Sequence, residues 1–144
     1  MLGKRKEKIL YSVEKDFVVE FFDVDSMQVA WHGNYVKYME IGRCALLDKL
    51  GYGYKQMIAE NYAFPVIEMN IKYIKSLFFG EKAKIRSNLI EFENRIRIQY
   101  EIFNEKGELA TIAETKQMAF NMKTKNSEFV CPQSLIEKVE KCIK

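Results

Sequence analysis

Between Phe64 and Asn121 apolar residues alternate with polar ones, and this period of two limits what the chain can fold into. The pattern is cleanest over 95–103, where Ile96, Ile98, Tyr100 and Ile102 alternate with Arg95, Arg97, Gln99 and Glu101. A strand buried on one face has this period, because successive side chains point to opposite sides of a pleated sheet. Ile67, Met69, Ile71 and Tyr73 mark another strand within 64–74, opposite Glu68, Asn70 and Lys72. Ala83, Ile85, Ser87 and Leu89 mark a third over 82–92, and 109–121 reads as a last long strand. The connections are short: SLFFGE at 76–81, Glu93-Asn94-Arg95, and Asn104-Glu105-Lys106-Gly107 with glycine at its end. Strands joined by hairpins run antiparallel.

One long segment departs from this period. From about 33 to 50, Tyr35, Met39, Gly42 and Leu46 recur at helical spacing, and Gly51 supplies a left-handed stop. Ahead of it Phe17, Val18, Val19, Phe21 and Phe22 predict a strand over about 14–23. A short helix over 53–60 and an amphipathic one over 133–143 are expected, with residues 1–12 as a mobile or loosely docked arm. The order predicts one α+β domain over residues 1–144, with its core at about 14–122. In it a curved antiparallel sheet wraps around one long helix. The sheet's other face and its edges would need a partner, with Phe92, Phe103, Met118 and Phe120 as extra apolar residues. A homodimer or homotetramer assembled through the sheet is therefore expected.

The net charge of +3 does not by itself imply a polyanion, and no nucleic-acid partner is expected. Cys44, Cys131 and Cys142 show no paired spacing, and Cys44 reads as a small core residue. His32 is the only histidine, so no metal site is expected. No segment has the length and apolarity of a membrane span, so no membrane partner and a cytoplasmic location are expected.

The chemistry concentrates between the first strand and the long helix. Asp23-Val24-Asp25-Ser26 interrupts the apolar run and sets carboxylates near a helix start, whose exposed N–H groups carry partial positive charge. FFDVDSMQVAWHGNYVKYMEIGR resembles the first motif of hotdog-fold acyl-CoA thioesterases of the 4-hydroxybenzoyl-CoA type. The matching positions are Phe22, Asp23, Asp25, Val29, Trp31, His32, Asn34, Tyr35, Glu40 and Arg43, and PVIEMNIKYIKSLFFGE resembles the family's second strand and following turn. The resemblance implies a hotdog fold and Asp25 as the catalytic carboxylate, either nucleophile or general base. It also implies an oxyanion site made by backbone N–H groups around His32 and Gly33.

Further implied roles are Tyr35 at the substrate, in a pocket with Tyr38, Met39 and Phe64, and Lys72, Lys75 and Arg95 as candidates for CoA phosphates. Glu40 is a reserve catalytic carboxylate that can instead pair with Arg43. The substrate would be an acyl-CoA or an acyl-carrier protein, with CoA as part of the substrate and no separate cofactor. A non-catalytic acyl-CoA-binding module is the other reading. Where the family often has glycine this chain has Gln28, a departure that bears on loop conformation and acyl preference. The D-x-D pattern also occurs in haloacid-dehalogenase phosphatases. Those need further acidic residues for Mg²⁺ and a parallel sheet, whereas no aspartate follows Asp48.

Overall fold

The computed structural model describes residues 7–144. Strand β1 (Tyr11–Val18) leads through a 3-10 turn (Phe21–Asp23), the site loop and a second 3-10 turn (His32–Asn34) into helix α1 (Tyr35–Leu50). Helix α2 (Tyr54–Ala59) and the short β2 (Tyr62–Ala63) follow. Then come β3 (Val66–Tyr73), β4 (Lys82–Glu91), β5 (Ile96–Phe103) and β6 (Leu109–Gln117). The chain ends with β7 (Ala119–Asn121), β8 (Asn126–Glu128) and α3 (Gln133–Ile143). Five strands form one antiparallel sheet in the order β1-β4-β5-β6-β3, and β2-β7-β8 form a second, small one.

The sheet buries the face that the alternation predicts. Ile85 and Leu89 of β4, and Ile96, Ile98, Tyr100 and Ile102 of β5, are at most 1% exposed. Tyr35, Tyr38, Met39, Gly42 and Leu46 of α1 are buried as well. Each such Leu or Ile contributes about 1.5–3 kcal/mol relative to leaving it in water. Gly42 lets the helix lie close on β4: a Cβ there would stand 2.5 Å from Ser87 Oγ. Gly51 ends α1 with φ 85°, a conformation glycine adopts without steric cost. Helix α1 packs on β1, β4 and β5. Along β3, Ile67 and Tyr73 are about half exposed. This is a curved sheet around one helix, as the hotdog resemblance implies.

The structure corrects several expectations. Residues 1–6 of the expected arm lie outside the described residues, but its later part is docked: Leu10 N–H donates to the Leu89 carbonyl, and Glu7 pairs with Arg97. Strand β1 therefore starts earlier than expected, and it stops at Val18 because the Phe21–Asp23 turn takes over. Phe21 and Phe22 are accordingly exposed at 73% and 76%. The predicted last long strand breaks after Gln117, and Ala119–Asn121 leaves the main sheet to pair with β2 and β8.

Cys44 faces solvent instead of the core. Phe92 is buried within the chain and offers no surface to a partner. The sheet face away from α1 is polar, with Arg86 between Glu14 and Glu101 and Arg97 among Glu7, Glu91 and Glu114. Apolar exposure on the sheet sits instead at its edges, at Val66, Ile67, Tyr73 and Ile74 along β3 and at Val18 on β1. Among the described residues, no helix is long and apolar enough to cross a membrane.

Candidate active site

The site loop is a hairpin built on Asp23. Its carboxylate is 1% exposed and accepts hydrogen bonds from the Glu20 N–H (3.0 Å), the Tyr38 hydroxyl (3.1 Å) and the Lys37 ammonium. Burial alone would raise the Asp23 carboxyl, but Lys37, the Glu20 N–H and Tyr38 outweigh it and hold the group below its ordinary value. The same burial, with Asp23 alongside, pushes the Tyr38 phenol well above its ordinary value. The Asp23 carbonyl is used too: it accepts the Trp31 N–H at 2.9 Å and the Asn34 side-chain amide at 2.6 Å. One residue thus ties the end of β1, the return of the loop and the start of α1 together.

Beyond that anchor, Val24 and Ala30 form an antiparallel bridge and a tight turn carries Asp25 at its start. Asp25 N–H donates to the Val29 carbonyl, and Gln28 N–H donates to the Asp25 carbonyl, each at 3.0 Å. The exposed Asp25 carboxylate accepts the Met27 N–H at 2.8 Å, with Val29 N–H at 3.4 Å. Gln28 holds the left-handed position of the turn, φ 65°. Gln28 therefore takes up in strain a conformation that glycine adopts without steric cost. The hairpin lies along the 77–79 segment through Ala30 N–H to the Leu77 carbonyl and Phe79 N–H to the Gln28 carbonyl.

His32 and Gly33 open the 3-10 turn before α1, and the first N–H groups of such a turn have no partner within it. Asn34 N–H closes the turn onto the Trp31 carbonyl at 2.9 Å. The Trp31 indole packs on Gly33, where a Cβ would lie 2.0 Å from the ring. The Tyr73 hydroxyl, from the end of β3, donates to the His32 carbonyl at 3.0 Å. The His32 ring stands edge-on to Tyr73, their centroids 6.4 Å apart.

The other sequence candidates separate. Tyr35 is 2% exposed and packs edge-on to Tyr38 and Tyr73, and Met39, Tyr38 and Phe64 are equally part of the chain's own core. Glu40 is exposed and pairs with the largely buried Arg43, as its spacing predicts. Lys72 is exposed on the opposite face of β3 from Tyr73. Lys75 is paired with Glu108 at 2.7 Å. Arg95 bonds Glu91 beyond the far end of β3 and β6, so one chain does not bring it near Lys75. Asn34 and Tyr73 both hold the turn, and no role in doing so was read from the sequence. Asn34 stood there as one matching position, and Tyr73 looked like any apolar member of an alternating strand.

The family model of the thioesterase-like superfamily matches residues 19–139. A protein of Bacillus subtilis named putative acyl-CoA thioesterase YneP is 32% identical over 106 residues, covering 73% of this chain and 77% of its own. The crystal structure of a DHNA-CoA thioesterase from Staphylococcus aureus is 33% identical, covers 81% of this chain and 78% of that one, and superposes with a TM-score of 0.76. A hypothetical protein from Thermus thermophilus shares the fold with a TM-score of 0.82 at 22% identity, covering 91% of this chain and 98% of that one. With the Asp25 hairpin running into a helical turn on a hotdog sheet, the chain belongs to the thioesterase-like superfamily, and its enzyme class is thioester hydrolase.

Proposed function

We propose that the chain hydrolyses acyl-CoA thioesters to a free acid and CoA, with Asp25 as the reacting carboxylate. The observation that carries this reading is the single hairpin that begins with an exposed Asp25 and ends in the His32–Gly33 turn, its return and that turn tied to the Asp23 carbonyl. The names of the Bacillus and Staphylococcus relatives support the substrate class. As general base, Asp25 takes a proton from water while the water oxygen bonds to the thioester carbon. As nucleophile, it forms a mixed anhydride that water then opens. Either route puts negative charge on the carbonyl oxygen, and the N–H groups of His32 and Gly33 are suited to hold it. As that charge collapses the C–S bond breaks, giving the acid directly or first the mixed anhydride, and CoA leaves as a thiolate, which needs little protonation.

A second copy completes the site in this reading. The half-exposed apolar edge of β3 is open to antiparallel pairing with the same strand of another chain, giving a dimer or a dimer of dimers. Two-fold pairing there would set the Arg95 end of one sheet beside the Lys75 end of the other, which suits phosphate binding at the mouth of the site.

The test is thiol release from short, medium, long and aromatic acyl-CoAs by the wild type and Asp25→Asn. The asparagine oxygen can still accept the Met27 N–H, so the loop and the melting temperature should be retained. Turnover should fall by at least about a hundredfold. Equal turnover in the two proteins would overturn the role of Asp25. Saturable acyl-CoA binding without any turnover would favour a carrier-protein substrate or a binding module.

A further inference from the structure

The carbonyl of His32 and the N–H of Gly33 are the two ends of one peptide group. We infer that Tyr73 is a positioning residue for the proposed hydrolysis, because its hydroxyl donates to that carbonyl at 3.0 Å and so fixes and polarises the Gly33 N–H. The inference rests on the reading of Asp25 and the His32–Gly33 turn given above. A donor on a peptide oxygen draws electron density from the amide nitrogen and makes the N–H a stronger donor, a cooperative effect of roughly 10–30% per bond.

The geometry favours this use of the hydroxyl over chance contact. Tyr73 ends β3 in register with Thr111, so the sheet fixes its backbone. The Tyr35 ring, 2% exposed, stands edge-on to Tyr73 with centroids 4.9 Å apart and limits the directions the phenol can take. On its other side the turn is held by Trp31 N–H and the Asn34 amide on the Asp23 carbonyl. The oxyanion peptide is therefore gripped from both the Phe21–Asp23 turn and β3. Tyr73 is 48% exposed, so in the free enzyme its bond competes with water. An acyl group seated on the turn would exclude that water and strengthen the bond when charge develops.

Tyr73→Phe keeps the ring and removes the hydroxyl. In acyl-CoA turnover it should lower kcat about tenfold, less than the loss of a direct oxyanion donor, with KM within about twofold and the melting temperature unchanged. The amide nitrogen resonance of Gly33 should also move upfield, a change that simple loss of packing elsewhere would not produce. Wild-type kcat, a loss confined to KM, or an unmoved Gly33 resonance would each overturn the role of Tyr73. Asp25→Asn in the same assay separates the two readings: if it matches wild type, the hydrolysis mechanism itself fails, whatever Tyr73→Phe does.

Discussion

At the base of the site loop Asp23 is 1% exposed and surrounded by Lys37, Tyr38 and the Glu20 N–H, while at the tip Asp25 faces solvent and accepts from its own turn. The two carboxylates lie two positions apart, so the residue type and the local sequence are nearly the same. What differs is the direction of the side chain on an extended segment, where neighbours point to opposite sides and residues two apart share a side only while the strand stays regular. The 3-10 turn at Phe21–Asp23 ends that regularity, turning Asp23 into the core and leaving Asp25 outside. The base holds the loop in place, and the tip presents its carboxylate to solvent.

Removing each carboxylate in turn should separate those tasks. Asp23→Ala leaves a lysine without its partner and orphans the Tyr38 hydroxyl and the Glu20 N–H. A cost of about 3 kcal/mol is expected, at the low end for a broken buried pair because the Lys37 side chain is 44% exposed. Asp25→Ala gives up bonds in an exposed turn and should cost less than about 0.5 kcal/mol. Urea unfolding of both variants checks the pair of values. Equal losses would mean that Asp23 does not anchor the loop.

Acid sharpens the same contrast. The Asp23 carboxyl lies below its ordinary value of 3.8 in the folded protein, so its stabilisation is fully present above 3.8 and is lost as pH falls through the lower folded value. The stability gap between wild type and Asp23→Asn should thus be constant from pH 7 to about 5 and shrink as pH falls below 3.8 toward the lower folded value. Thermal melts over that range measure it. A gap that stays the same at every pH would show that the charge on Asp23 contributes nothing to the fold.

Much of this was readable from residue order. The alternation in Ile96, Ile98, Tyr100 and Ile102 named a strand face that is now seen buried, and Gly51 marked the end of α1. The family motif located the loop and Asp25. Which of the two aspartates would be buried was not legible, because that depends on Lys37 and Tyr38 arriving from the helix 14 and 15 residues later. Tyr73 was out of reach for the same reason, since its bond to His32 spans 41 residues. Cys44 and Phe92 were misplaced because a period marks a face without saying how far a neighbouring element covers it. Helix α1 leaves Cys44 in solvent, and the segment around Cys131, whose N–H donates to the Glu93 carbonyl, runs past Phe92.

A small effect of the opposite sign is expected at the tip itself. Gln28 sits at φ 65°, where an L residue brings its Cβ too close to the following carbonyl oxygen and glycine does not. Its backbone carbonyl already accepts the Phe79 N–H at 3.0 Å, so the loop's attachment survives any change of side chain. Gln28→Gly therefore relieves strain without losing a backbone bond, partly offset by the greater freedom of glycine in the unfolded chain. A net gain of about 0.5–1 kcal/mol follows, or roughly 1–4 °C in melting temperature for a domain of this size. The base of the loop is untouched by this change, so the acid-dependent gap assigned to Asp23 should keep its size in the Gln28→Gly background. A lower melting temperature would mean that the Gln28 side chain contributes more to the tip than its strain takes away, and that the tip is held by more than its turn.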